Sequence, residues 1–309
     1  MPNILFAAPA ETWQEYEPLL TTALSEQGIQ ATLATDLPPE QVDYIIYTPN
    51  AELQDFSPFT RLKAVMNLWA GVERIINNPT LNVPLTRMVD EAGLSQGMVE
   101  WVTGHVLRHH LGMDAHIVNP DRIWDDTPPP LSKDRPIAML GTGALGQACA
   151  KALTQLGFPV TGWGRSPKSL PYPTTHGPDG LTQALTNAQI VVLLLPDTPA
   201  TENTLNAQTL SLLAPGAVIV NPGRGPLIDD AALLDALDTG RVGHATLDVF
   251  RIEPLPDGHP FWSHPKITVT PHIASATRAD SAAAVVAANI ARAERGETLH
   301  HLVDRSAGY

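Results

Sequence analysis

Cysteine is almost absent from this chain: Cys149 is the only one in 309 residues, so no disulfide can form within it and its order must come from a packed core. Basic residues are scarce, 19 Lys and Arg against 32 Asp and Glu, a formal charge of −13. No Lys/Arg run interrupts that negative field, and such a field repels polyanions, so no nucleic-acid partner is expected. Long apolar runs are missing as well. The longest, such as Ile190 to Leu195, fall far short of the about 20 residues a membrane helix needs, which excludes a membrane span. The first residues, MPNILFAAPAETW, lack a basic start and a long apolar stretch, so a cytoplasmic address is expected. What remains is ordinary: 43% hydrophobic and 17% charged residues, enough to bury one large domain or two moderate ones.

Short apolar runs alternate with helix-period segments along the chain. The runs are Asn3 to Ala7, Asp43 to Tyr47, Pro136 to Leu140, Ile190 to Leu195, Ala217 to Val220 and Ile267 to Thr270. This rhythm predicts α/β units with parallel sheets. Asp229 and Asp230 open a helix with Leu233, Leu234 and Leu237 on one face, and Gly240 closes it. Gly97 to Val118 carries Met98, Val102, Val106 and Leu107 at helical spacing and precedes a Pro-rich stretch, Thr127 to Pro136. A long helix followed by a connecting arm is predicted there, and a final helix over Asp280 to Arg295. No internal repeat of solenoid type is present.

Gly141-Thr-Gly143-Ala-Leu-Gly146 stands between an apolar strand and the helix predicted from Gln147 to Leu156. In that context the three glycines have distinct uses: a tight turn at Gly141, close approach of a pyrophosphate at Gly143, and close helix packing at Gly146. A dinucleotide is the expected ligand. A carboxylate holding an unphosphorylated ribose would stand about 20 residues further on, at the end of the next strand. None does. From Gly141 to Pro178 there is no Asp or Glu, and the strand end reads Trp163-Gly-Arg165-Ser166-Pro-Lys168. Two cations and a hydroxyl suit a 2′-phosphate, so NADP(H) is expected rather than NAD, although two basic residues in a loop can also be merely solvated. Cys149, just inside the helix, reads as a buried packing residue.

Three later stretches follow predicted strands: Asn221-Pro-Gly-Arg224-Gly-Pro-Leu-Ile-Asp229, Leu247-Asp248-Val-Phe-Arg-Ile-Glu253-Pro, and Thr270-Pro-His272-Ile-Ala-Ser275. Together with the glycine turn they resemble the D-isomer-specific 2-hydroxyacid dehydrogenases. The resemblance covers the whole chain. Trp69-Ala70-Gly71-Val72 looks like that family's substrate loop, and Val303 to Tyr309 looks like the tail of its bacterial glyoxylate/hydroxypyruvate reductase subgroup, which prefers NADPH.

The resemblance implies a Rossmann doubly wound parallel sheet with a second, flavodoxin-like substrate domain. The domains would be 1–97 (substrate), 98–278 (NADP-binding) and 279–309 (return to the substrate domain). It makes Arg224, Glu253 and His272 the catalytic residues. It places the cofactor against Gly141, Gly143, Ala144, Leu145, Gly146, Trp163, Arg165, Ser166, Lys168, Leu195, Pro196, Pro222, Gly223, Asp248 and His272. It places the substrate against Trp69, Ala70, Gly71, Val72, Arg224 and His272, with the Gly71 and Val72 amides on its carboxylate. It also implies a homodimer joined through the long helix and arm, and closure of one domain over the other.

The residue types fit the chemistry. Reducing a 2-oxo acid needs a hydride at C2, a proton for the developing alkoxide, and a cation at the carboxylate and carbonyl oxygens. An imidazolium at His272 would give the proton, with Glu253 favouring the charged ring and Arg224 orienting the substrate through its planar fork. Taken singly, His272 could be a structural histidine, and Arg224 and Glu253 a structural ion pair. Pro222 and Gly223 depart from relatives that carry a small non-Gly residue before the Arg. Trp69, Tyr47 and Trp124 are pocket walls or core residues with equal weight, Trp124 by resemblance reaching the partner's site. His109, His110 and His116 lack HExxH spacing and His259, His264 and His272 have no CxxC companion, so no metal is expected. Two rivals to reduction of glyoxylate and hydroxypyruvate stay open: an NAD-linked dehydrogenase of another D-2-hydroxy acid, and a non-catalytic dinucleotide-sensing module resembling dehydrogenase-like corepressors.

Overall fold

The computed structural model describes residues 1–306 and 308, so Ala307 and Tyr309 of the tail motif lie outside the described residues. In chain order the elements begin with β1 Asn3–Ala7, α1 Trp13–Glu26, β2 Thr32–Ala34, β3 Tyr44–Tyr47, β4 Ala64–Asn67 and β5 Leu85–Thr86. Then come α2 Gln96–His110, α3 Met113–Ile117, β6 Ile137–Leu140, α4 Ala144–Gln155, β7 Val160–Gly164, β8 Thr174–His176, α5 Gly177–Leu185 and β9 Ile190–Leu193. The chain finishes with α6 Ala207–Ser211, β10 Ala217–Asn221, α7 Asp230–Asp238, β11 Val242–Leu247, β12 Ile267–Val269 and α8 Ala279–Glu294. Two compact units result, one from 1–94 with 276–309 and the other from 95–275. Among the described residues no helix is long and apolar enough to cross a membrane.

The first unit holds a five-stranded sheet in the order β2-β1-β3-β4-β5, every pair parallel. This is the flavodoxin-like order 2-1-3-4-5. α8 returns to this unit and packs on α1. Tyr47, weighed above as a pocket wall, is a core residue here: it is buried, meets Phe56 edge-on with ring centroids 5.5 Å apart, and its hydroxyl donates to the Leu53 carbonyl at 3.2 Å.

The second unit holds a seven-stranded parallel sheet, β12-β11-β10-β9-β6-β7-β8. Counted from β6 this is the Rossmann order 3-2-1-4-5-6 with one strand added. Period-2 alternation divides the central strands between two cores. Ala138, Leu140, Val191 and Leu193 face one, packed by α7 through Leu233 and Leu237. Ile137, Met139, Ile190 and Val192 face the other, packed by α2 through Met98, Val102 and Val106 and by α4 through Cys149 and Leu153. Covering on both faces is why these strands read as unbroken apolar runs. Cys149 is the buried packing residue its sequence context implied, with burial pushing its thiol up to about 12.

The long helix expected from Gly97 to Val118 is broken. α2 ends at His110, Gly112 takes the left-handed conformation at φ 62°, and α3 starts beyond it. The Leu111 and Gly112 amides close the turn onto the carbonyls of Leu107 and His109. The apolar spacing continues across this point, but glycine there costs nothing in the left-handed region and ends the helix as a C-cap.

Candidate active site

β6 leads into the glycine turn at the position where strand order reverses, between β6 and β9. Gly141 has φ 115°, and a Cβ there would lie 2.4 Å from the Leu194 carbonyl oxygen. A Cβ at Gly146 would lie 1.8 Å from the Gly141 carbonyl oxygen. These two glycines are required by the protein's own backbone. Gly143 is different, since nothing lies within 4 Å of its Cβ position. It caps the N-terminus of α4, whose first residues are Ala144 and Leu145 and whose first turn holds no acidic residue. Amide N–H groups and the positive end of the helix therefore border open space, as an anionic pyrophosphate needs.

At the end of β7 the Trp163 indole donates to the Gly177 carbonyl at 2.8 Å, and Arg165 and Ser166 are exposed beside it. Lys168 is placed differently from a solvated loop charge. Its ammonium donates to the Thr142 carbonyl at 2.7 Å, tying this loop to the glycine turn. Leu195 and Pro196 follow β9 at the same edge of the sheet.

Arg224, Glu253 and His272 follow β10, β11 and β12, three adjacent parallel strands, so all three leave the sheet at its C-terminal edge. Glu253 and His272 meet directly, with Nδ1 of the ring 2.7 Å from Oε2. A carboxylate only accepts, so Nδ1 carries the hydrogen and Nε2 is left to face a ligand. The other carboxylate oxygen accepts the Phe250 N–H at 2.9 Å, which fixes the acid's orientation. Burial raises the Glu253 carboxyl, but hydrogen bonds from His272 and Phe250 and the charges of His272 and Arg224 outweigh it and hold the group below the usual carboxylate range. The side chains of His272 and Glu253 are 48% and 31% exposed, open enough to meet a small molecule.

The backbone around these groups is held tightly. Asn221, buried at the end of β10, accepts the Gly223 N–H at 3.1 Å and donates to the Arg224 carbonyl at 2.9 Å. A Cβ at Gly223 would lie 2.7 Å from the Leu193 carbonyl oxygen, so the Pro222-Gly223 departure suits a loop pressed against β9. A Cβ at Gly225 would lie 2.0 Å from the Phe250 carbonyl carbon, so the Arg224 loop sits directly on the segment that carries Glu253.

Asp248, expected to contact the cofactor, has another duty. Its side chain is fully buried and takes the Thr270 hydroxyl at 2.5 Å and the amides of Ile273 and Ala274 at 2.9 and 2.8 Å. Its carbonyl accepts the His272 N–H at 2.8 Å. Both carboxylate oxygens are spent on the loop that presents His272, which holds a left-handed φ of 54°. A non-glycine residue in that region is strained and persists only where neighbours over-determine it. Asn221, Gly225 and Thr270 were not singled out from the sequence. The available signal was the Asn-Pro-Gly run directly after a strand, an Asx-turn pattern.

The loop at 69–72 is built within the first unit. Buried Asn67 donates to the carbonyls of Trp69 and Gly71 at 2.8 and 3.0 Å, and Met88 N–H donates to Trp69 at 3.0 Å. With its carbonyls turned to protein donors, the loop leaves the N–H groups of Gly71 and Val72 without an acceptor among the described residues. Trp69 and Ala70 are half-buried and Val72 is buried.

The family model for "D-isomer specific 2-hydroxyacid dehydrogenase, NAD binding domain" matches residues 105–274, more than half of the chain. The chain belongs to this family. Relatives agree with that membership. A glyoxylate/hydroxypyruvate reductase A of Serratia proteamaculans is 37% identical over 99% of this chain and all of its own length. That of Yersinia enterocolitica is 36% identical over the same shares. A 2-hydroxyacid dehydrogenase of Xanthobacter autotrophicus solved with NADPH and MES superposes with a TM-score of 0.92 at 36% identity, covering 100% of this chain and 99% of the other. An NADPH-dependent glyoxylate/hydroxypyruvate reductase of Sinorhizobium meliloti, solved with NADP and sulfate, gives 0.87 at 31% identity with full coverage of both.

Proposed function

We propose that this dehydrogenase reduces small 2-oxo acids with NADPH, glyoxylate to glycolate and hydroxypyruvate to D-glycerate. The observation that carries the reading is the 2.7 Å pair of His272 and Glu253 at the sheet edge that also bears Arg224. Bound NADPH supplies the hydride that C2 receives. Unit 95–275 is read as the cofactor domain and the other unit as the substrate domain. Gly143 and the start of α4 hold the pyrophosphate, and Arg165 and Ser166 hold the 2′-phosphate, with Lys168 tying their loop to the turn. The absence of any carboxylate from Gly141 to Pro178 favours NADPH over NADH.

In this mechanism Nε2 of protonated His272 gives its proton to the developing alkoxide, while Glu253 holds Nδ1 and fixes the ring's orientation. Arg224 polarises the carbonyl and orients the substrate. The Gly71 and Val72 amides take the substrate carboxylate. Following absorbance at 340 nm with NADPH or NADH against glyoxylate, hydroxypyruvate, pyruvate and phenylpyruvate tests the whole reading. NADPH oxidation fastest with the two smallest acids is expected. No turnover with any pair would return the protein to the sensor reading, and a preference for NADH would remove the phosphate site.

The same reading makes the chain a homodimer. Ile117, Val118, Ile123, Trp124 and Leu131 are large apolar residues more than half exposed on one segment, and Trp124 is 93% exposed. Such a cluster marks an interaction surface. The lone cysteine suits a reducing compartment such as the cytoplasm.

A further inference from the structure

β11 carries chemistry at its other end that the proposed reaction does not use. His244, near its start, lies beside His109 of the last turn of α2, ring centroids 4.8 Å apart. Asp114 of α3 completes the group. One ligating atom from each of the three lies within 4.8 Å of the others, and among the described residues no other set of three or more His, Cys, Asp or Glu meets that condition. The sequence hides this cluster, because His109 and His244 are far apart, while His105, one turn before His109 on the same helix, stacks on Trp101 with ring centroids 4.3 Å apart and is not part of the group.

The surroundings are those of a ligand set. Nε2 of His109 is 2.8 Å from the Thr246 hydroxyl, and Nε2 of His244 is 2.8 Å from the Thr268 hydroxyl. Thr246 and Thr268 are register partners on β11 and β12. Each ring is thus oriented through one nitrogen and keeps the other, the arrangement that fixes tautomer and direction in metal-binding histidines. Arg108 Nε donates to Oδ1 of Asp114 at 2.6 Å, while its Nη2 donates to Thr268 at 3.0 Å. That fixes the carboxylate beside the rings and leaves its second oxygen available. Burial, the neighbouring histidine and Arg108 push His109 down to about 3, and burial and Arg108 also lower His244. Both rings are neutral at neutral pH and need lose no proton to ligate.

We infer that His109, His244 and Asp114 form a site for a zinc-class divalent transition ion, with water in the fourth position. Two imidazoles and one carboxylate suit zinc, cobalt, nickel or copper and not magnesium or calcium, which take oxygen ligands. Tetrahedral bonds of about 2.0–2.1 Å place ligand atoms about 3.3 Å apart, so the cluster contracts on binding, chiefly through half-exposed Asp114. The ion would staple α2 and α3 to the β11–β12 edge, a role separate from hydride transfer.

The test is a Co2+ titration of the full-length protein after EDTA treatment and desalting, reading the visible d–d bands of tetrahedral cobalt, with Zn2+ displacing them. One ion per chain is expected. His244→Ala and Asp114→Asn should lose the band, and Thr268→Val should weaken binding about 10- to 100-fold, since it removes the hydroxyl that orients His244 and Arg108 but no ligand. Should His244→Ala fail to fold, Asp114→Asn, a change on an outer helix, decides alone. His272→Asn should bind cobalt as the parent does. The inference is overturned if the folded parent takes up no metal, if the band survives in Asp114→Asn, or if it is lost in His272→Asn, which would put the ion at the other histidine–carboxylate pair.

Discussion

A histidine–carboxylate group lies at each end of β11, His272 with Glu253 past its C-terminal edge and His244 with His109 of α2 and Asp114 of α3 near its start, and the two groups behave oppositely. At the C-terminal edge His272 is half-exposed and bonded directly to Glu253, whose negative charge is retained. At the other end His109 and His244 are largely desolvated, and the nearby carboxylate of Asp114 is bonded to Arg108. Similar residue types are thus prepared for different work. A ring that shares a carboxylate's hydrogen bond in a solvated setting is disposed to carry and give a proton, whereas a partly buried ring beside a guanidinium stays neutral and keeps a lone pair.

The largest test of this contrast is His272→Asn. Reduction should slow by roughly 10²- to 10⁴-fold while NADPH binding, measured by fluorescence titration, survives. Near-normal turnover would mean that the solvated pair is structural. Glu253→Gln keeps the shape but removes the charge and the acceptor that orients the His272 ring, so kcat should fall by about 10- to 100-fold. An unchanged kcat would separate Glu253 from the chemistry.

Arg165→Ala should raise the KM for NADPH by about 10-fold or more, as expected for loss of a charge-assisted hydrogen bond, and leave NADH nearly unchanged. Equal effects on both cofactors would show that Arg165 does not meet the phosphate.

The more desolvated end makes its own prediction about acid. His109 is lowered to about 3 in the folded protein and lies near 6.5 in an unfolded chain, so between these values the unfolded state binds more protons. Stability from this group is complete above pH about 6.5 and is lost as pH falls toward 3. Urea midpoints measured across that range should fall more gently in His109→Gln than in the parent; parallel curves would deny that burial holds His109 neutral. The smallest effect expected is that of Trp124→Ala, which should weaken self-association in sedimentation equilibrium. Unchanged association would take Trp124 out of the interface.

Much of the sheet framework was legible. The apolar runs at 3–7, 190–193 and 217–220 form strands because each is buried in a covered parallel sheet, and Asp229 and Gly240 bound α7 as cap and terminator. Gly141 and Gly146 were legible too, since close backbone approach excludes every other residue. Less legible were features that depend on two distant segments at once. Gly112 breaks a helix whose apolar spacing runs on unbroken. Asp248 looks like any acid after a strand until its oxygens are seen to organise Thr270, Ile273 and Ala274. Tyr47 could have lined a pocket, and only packing against Phe56 makes it core.

The sequence by itself determined the strand rhythm, the glycine turn, the lack of a carboxylate after β7, and the identity of the acid, base and guanidinium that follow three strands. These are local properties, fixed by periodicity, by side-chain size and by the charge a residue carries. The tertiary structure decided which of eleven histidines meets a carboxylate and which meets another histidine, because that depends on strand register and on which ring is dried by its neighbours. Burial and pairing set a side chain's protonation, and neither exists until distant parts of the chain are brought together.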